Sequence, residues 1–207
     1  MLIFNLISSP ITFLFFIIAI LGSLTVHEFA HAYIAHKFGD NTAKMMGRLT
    51  LNPIAHLDLW GTVFLFLVGF GWGKPVMVDT RNFQNPKLDN FAVSLAGPIS
   101  NLILAVLFGL IYRFVAMPEL VSTLFFMIVF YNLVFMIFNL LPIPPLDGSK
   151  VLDLFLPEEI VMQFQQIGTL ILFALIAFSS FIPVIPFILH NVVGFFFTLI
   201  TGQQISI

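Results

Sequence analysis

The chain has no cysteine among its 207 residues. That excludes disulfides and thiolate metal sites, and leaves any zinc to His, Asp and Glu. Charge is also scarce. Only 9% of residues are Asp, Glu, Lys or Arg, against about 25% in soluble domains, which marks an integral membrane protein. The net charge of −2 comes without a basic tract, so nucleic-acid binding has no electrostatic footing. Lys and Arg are absent from Met1 to Ile20. A secretory signal needs a basic start, and here the apolar run continues into the chemistry described below, so the segment is expected to be retained. With no internal repeat, low-complexity linker or soluble appendage, the chain reads as one membrane-embedded domain over residues 1–207.

What the chain does have is apolar length. Its 27 phenylalanines and mean hydropathy of +1.06 provide lipid-facing and packing surface rather than a cofactor site. A bilayer core of about 30 Å takes roughly 20 helical residues. Ser9 as N-cap, Pro10 at the first helical position and Gly39 as a stop predict a helix over Pro10 to Phe38. Phe91 to Met117, Val121 to Leu141 and Ile167 to Ile182 read as further spans. Phe187 to Thr201 reads as a last apolar helix. The expected fold is all-α and polytopic, with about five transmembrane helices. Pro142, Pro144 and Pro145 end the third span, while Pro183 and Pro186 break the chain before the last helix. Leu59 to Trp72 is apolar but short and carries Gly61, Gly69 and Gly71, the pattern of a re-entrant segment. Pro75 to Val78 is a candidate short strand.

His27, Glu28 and His31 lie near the end of the first apolar run. At i and i+4 the two imidazoles share one helix face, one turn apart, and can reach a single metal ion. Glu28 is one step round, placed to take a proton from water that the metal polarises. This H-E-x-x-H arrangement belongs to zinc-assisted chemistry, and ionisable groups in a membrane helix are functional by default. The bland alternative is a pair of interfacial histidines beside a solvated glutamate.

Basic residues set the orientation. If Leu59 to Trp72 is re-entrant, then Lys37, Lys44, Arg48, Lys74, Arg81, Lys87 and Lys150 fall on one side, the cytoplasmic one, with only Arg113 near the other. A full crossing would move Lys74, Arg81 and Lys87 outside. The re-entrant reading also brings Asp147, beyond the proline-broken third span, to the side of His27 and His31. A catalytic zinc takes three protein ligands and a water. Asp40, Asp58, Asp79, Asp89 and Asp153 read as loop or surface charges. Asp147 ahead of Gly148 suits a ligand and a helix N-cap equally. His56 reads as a loop histidine and His36 as an interfacial one, and His190 has no evident partner.

The stretch His27-Glu28-Phe29-Ala30-His31, together with Asn139-Leu140-Leu141-Pro142 ahead of Leu146-Asp147-Gly148, closely resembles the site-2 protease family of intramembrane zinc metalloproteases. That family's pattern is H-E-x-x-H on one membrane helix and N-x-x-P ahead of L-D-G on another. Gly97-Pro98 and Asn101 look like its middle helix, and the likeness covers roughly residues 20 to 155. It implies one zinc per chain on His27, His31 and Asp147, with Glu28 as catalytic base. It also implies Asn139 as a substrate-backbone or oxyanion contact, whose alternative is an interhelical hydrogen bond. The activity implied is regulated intramembrane proteolysis: hydrolysis of peptide bonds within or next to transmembrane segments of membrane-protein substrates. The protein would be a multi-pass cell-membrane protein with its site towards the cytoplasm. With no room for a PDZ or CBS domain, the chain resembles the minimal, core-only branch. The rivals are a membrane metal transporter, which should spread ligands through the bilayer, and a non-proteolytic metal-binding membrane protein, which would typically lack Glu28 or a ligand.

Overall fold

The computed structural model describes residues 9–68, 71–179, 181 and 183–205. Helix α1 (Pro10–Lys37) begins as expected at Ser9-Pro10, although the Ser9 hydroxyl bonds the Thr12 hydroxyl rather than a backbone amide. Its stop is also as expected. Gly39 takes φ 105, a left-handed conformation that favours glycine, and the turn lets the Asp40 amide donate to the Ala35 carbonyl at 2.9 Å. The polar loop that follows holds a short helix α2 (Thr42–Met45) and a 3-10 turn at Pro53–His56.

Helix α3 (Leu59–Val68) opens the short apolar segment. The chain then doubles back, so that Leu57 and Gly73 form an antiparallel bridge and the Lys74 amide donates to the His56 carbonyl at 2.8 Å. Both ends of the hairpin therefore meet, as a re-entrant segment requires; Gly69 lies outside the described residues. Pro75 to Val78 forms no strand, and among the described residues the Leu57–Gly73 pair is the only β bridge. The reason lies in its neighbours. A ladder needs a partner strand, whereas the Val76 and Asp79 amides are taken by the carboxylates of Glu28 and Asp40.

Helix α4 (Pro86–Phe114) starts at Pro86 rather than at the expected Phe91. The Asp89 carboxylate accepts from the Asn85 amide at 2.8 Å, so a polar, capped first turn extends the helix beyond its apolar stretch. Next come α5 (Glu119–Asn139), a 3-10 turn at Asp147–Val151, α6 (Leu152–Phe155) and α7 (Glu158–Ala177). The expected Ile167 to Ile182 span is displaced towards the N-terminus, and Ile182 lies outside the described residues. Helix α8 (Val184–Thr201) includes a π turn at Leu189–Val193. Pro186 does not break it. It sits in the first turn, where a missing N–H leaves no intrahelical bond unmade.

α1, α4, α5, α7 and α8 are long and apolar enough to cross a membrane, and the fold is all-α and polytopic. The core packs Ala105 of α4 and Val129, Leu133, Met136 and Ile137 of α5 against Val193, Phe197 and Ile200 of α8. At the far end of α4, the Tyr112 hydroxyl donates to Gln203 Oε1 at 2.8 Å and Arg113 donates to the Leu199 carbonyl at 3.3 Å. At the other end, Ile185 packs with Leu141, Leu146 and Leu172. α8 thus runs alongside α4 in the same direction. The α7–α8 pair makes one net passage between the ends of the molecule rather than two.

Candidate metal centre

Helices α1, α4 and α5 meet at His27 and His31, which are 3% and 8% exposed despite their polarity. Helix α4 approaches them at Gly97, where a Cβ would lie only 2.7 Å from His27 Nε2. Any side chain there would fill the space in front of the imidazoles. Beyond α5, the proline-rich turn carries Asp147 back to α1. Gly148 makes that return possible, since a Cβ would come within 2.7 Å of the Leu141 carbonyl oxygen. Asp147 Oδ2 then stands 3.1 Å from His27 Nε2 and 3.3 Å from His31 Nε2, and the two Nε2 atoms are 3.0 Å apart. Asp147 makes no capping bond; the cap position of its 3-10 turn is Leu146.

Hydrogen bonds on the far side of each imidazole decide what faces inward. His31 Nδ1 lies 2.8 Å from the Val93 carbonyl, which only accepts, so Nδ1 carries the proton. His27 Nδ1 lies 2.7 Å from Asn101 Oδ1. The Asn101 amide is oriented by its own donations, to the Ser23 carbonyl at 3.1 Å and to Asn132 Oδ1 at 2.8 Å. With Nδ1 engaged from behind, each ring turns Nε2 towards the other ring and towards the carboxylate. Asp147 Oδ2 is buried without a hydrogen-bond partner. Two imidazole nitrogens and a carboxylate oxygen this close need a cation shared between them, either a proton or a metal ion. Two imidazoles and one carboxylate, each imidazole held from behind, are a donor set that suits zinc.

Glu28 does not join this cluster. Its Oε2 accepts from the Val76 amide at 3.0 Å, so the loop after the hairpin lies against it. The Nδ2 of Asn139 is turned onto the Phe135 carbonyl of its own helix at 3.0 Å. His56 is fully buried and bonds the Thr50 carbonyl at 2.8 Å, whereas His36 stands 3.5 Å from Lys44 and His190 faces outward. The other acids are engaged in structure. Asp58 accepts from the Gly61 amide at 2.8 Å at the start of α3, Asp89 caps α4, and Asp153 lies 3.8 Å from Lys150. Asp79 pairs with Arg81 at 2.7 Å, and hydrogen bonds from Arg81 hold its carboxyl down at about 2. Sequence reasoning missed the links from Asn101 to Asn132 and from Val76 to Glu28. The first had a signal, an amide inside each of two apolar runs. The second had none.

The profile of Peptidase family M50 matches residues 15–118 and 113–179. The chain is 45% identical over 161 residues to "Putative zinc metalloprotease YwhC" of Bacillus subtilis, a match covering 73% of this chain and 74% of that one. Rip2 of Mycolicibacterium smegmatis, which bears the same description, is 39% identical over 155 residues, covering 70% of this chain and 59% of Rip2. MJ0611 of Methanocaldococcus jannaschii is 30% identical over 149 residues, covering 70% and 72% of the two chains. No solved structure matches. Fold and matches together define a multi-pass membrane protein of a zinc metalloprotease class. The chain belongs to the site-2 protease family, peptidase family M50.

Proposed function

We propose that this protein is an intramembrane zinc endopeptidase, one membrane domain that cuts membrane-protein substrates within or next to their transmembrane segments in regulated intramembrane proteolysis. The observation carrying this reading is the convergence of His27, His31 and Asp147, whose ligand atoms all lie within 4.8 Å of one another, beside a glutamate that is not part of the set. One zinc per chain would be held by these three residues. When bound, zinc would supply Lewis acidity that polarises a scissile carbonyl and acidifies water.

The remaining work falls to the chain. Asn101 and the Val93 carbonyl hold the two imidazoles in the tautomer that leaves Nε2 free. Glu28 takes the proton from water and returns it to the departing amine, as a general base and then acid. The Val76 amide occupies Oε2 and so leaves Oε1 for that proton. A transmembrane substrate hides its carbonyls in its own helix and must unwind to be cut. The extended stretch Pro75 to Val78 beside Glu28 would take the unwound peptide by strand addition. Asn139 gives one Nδ2 hydrogen to the Phe135 carbonyl and would contact substrate backbone with the rest of its amide. Every Lys and Arg except Arg113 is at the site end, which supports a cytoplasmic site by the positive-inside rule.

The test uses the purified full chain in proteoliposomes with a transmembrane peptide. Wild type should cleave it in a chelator-sensitive manner. Glu28→Gln should retain zinc and lose about 10²–10⁴-fold in turnover. A zinc-loaded wild type that cuts none of a panel of transmembrane peptides, but passes zinc across the bilayer, would favour the transporter instead.

A further inference from the structure

Asp40 is fully buried just beyond α1, although sequence reasoning gives it only a loop role. All its hydrogen-bonding neighbours are donors. Oδ1 accepts from the Thr42 amide at 3.0 Å, the Thr42 hydroxyl at 2.6 Å and Asn82 Nδ2 at 2.8 Å. Oδ2 accepts from the Asp79 amide at 2.8 Å. Burial disfavours the charged form, but these bonds outweigh it and hold the carboxyl below its ordinary range. Two of the four are local. The other two reach across to the loop that bears Val76.

The spacing gives those two their meaning. The bond from the Asp40 amide to the Ala35 carbonyl fixes Asp40 about one turn beyond Ala35, so both carboxylates that hold the loop belong to α1 and its end. On the loop, Val76 and Asp79 are three residues apart, and three extended residues reach at most about 10–11 Å. The loop is thus held at both ends of a three-residue stretch, by Glu28 at Val76 and by Asp40 at Asp79. It also rests on the turn between them, since a Cβ on Gly39 would lie 3.2 Å from the Asn82 carbonyl.

We infer that Asp40 is a positioning residue: by anchoring Asp79 and Asn82 it fixes the Val76 amide on the Glu28 carboxylate. This rests on Glu28 acting as the base. A residue that only finished α1 would depend as much on Thr42 as on Asn82, and that difference supplies the test. Thr42→Ala removes a local bond. Asn82→Ala, at an exposed position, removes a loop bond. Asp40→Asn keeps the volume but turns a donor towards a donor.

Amide hydrogen exchange is measured on the full chain after chelator treatment, with kcat and zinc content measured on the loaded protein. Asp40→Asn and Asn82→Ala should speed exchange across Val76 to Asp79 and lower kcat about tenfold or more, with zinc content kept. Thr42→Ala should change neither. Unchanged exchange at Val76 in both loop-directed variants overturns the inference, and so does an equal loss of kcat in Thr42→Ala. Because exchange is read without turnover, a wild type that cleaves nothing counts against the proposed protease while the clamp is still tested. If Asp40→Asn fails to fold, Asn82→Ala decides alone.

Discussion

Helices α1 and α7 are close in hydropathy, 2.0 and 1.8 over their most apolar windows, yet they sit in the molecule very differently. α1 buries Ser23, Thr25, His27 and His31 along with its apolar contacts, and α4 and α5 meet it with Asn101 and Asn132. α7 buries only Gly168 and Leu172. Lipid tails are as apolar as a leucine, so burying apolar surface between membrane helices yields little. Close approach and hydrogen bonds hold them instead. The Ser23–Asn101–Asn132 chain joins three helices in that way, and the same amide that ties the bundle orients His27. α7 has no such tie. It meets the rest through Leu172 in the cluster with Leu141, Leu146 and Ile185, through Gly168 against the Pro144 ring and through Phe173, 6.4 Å from Trp72. Apolarity marks which segments enter the membrane, and the polar groups inside them mark which ones pack.

If the core is built around the ligand cluster, the largest effects should come from changing it. Asp147→Asn keeps the shape and removes the anionic ligand, so zinc affinity and cleavage should both collapse while helical content is retained. Gly97→Ala should do the same by a different route, because its Cβ would occupy the space in front of His27 Nε2. Metal analysis and circular dichroism on the purified variants check both. Wild-type zinc in either would remove the corresponding residue from the site.

A smaller effect is expected one shell out. Asn101→Leu leaves the three ligands untouched but lets the His27 ring choose its tautomer. Loss of such a partner typically costs 10–100-fold in metal affinity. Competition against a chelator of known affinity measures it, and an unchanged affinity would mean that the amide serves only to join helices.

These residues differ in how visible they were in the sequence. His27, Glu28 and His31 stand out because ionisable groups are conspicuous in apolar runs, and the hairpin stands out because its apolar run is too short to cross. Asp147 was singled out from an equally good N-cap only by the family resemblance of its Leu146-Asp147-Gly148 setting. The start of α4 at Pro86 was hidden, since its first turn is polar and the span was read from hydropathy. The role of the loop from Gly73 to Asn82 was hidden for a different reason. Its amides bond carboxylates 48 and 39 residues away, Glu28 and Asp40, and no local pattern records a partner that distant. Asn101 and Asn132 were both readable as intramembrane amides, but only the crossing of α4 and α5 makes them meet.

The smallest expected effects lie on α7, and there the comparison can be sharpened within one helix. Leu170 is 70% exposed and Phe173 is 50% exposed, but Phe173 sets its ring edge-on to Trp72 at an interplanar angle of 89°. Leu170→Ala removes surface that faces lipid in either state, so it should shift stability by no more than about 0.5 kcal/mol. Phe173→Ala removes an aromatic pair worth about 0.5–1.5 kcal/mol and loosens the hairpin against α7. Neither change touches the ligand cluster, so zinc content should stay at the wild-type level in both. Reversible unfolding in mixed detergent micelles gives the two stabilities. If Leu170→Ala costs as much as Phe173→Ala, the outer face of α7 is packed against something, and the contrast between α7 and the core would have to be withdrawn.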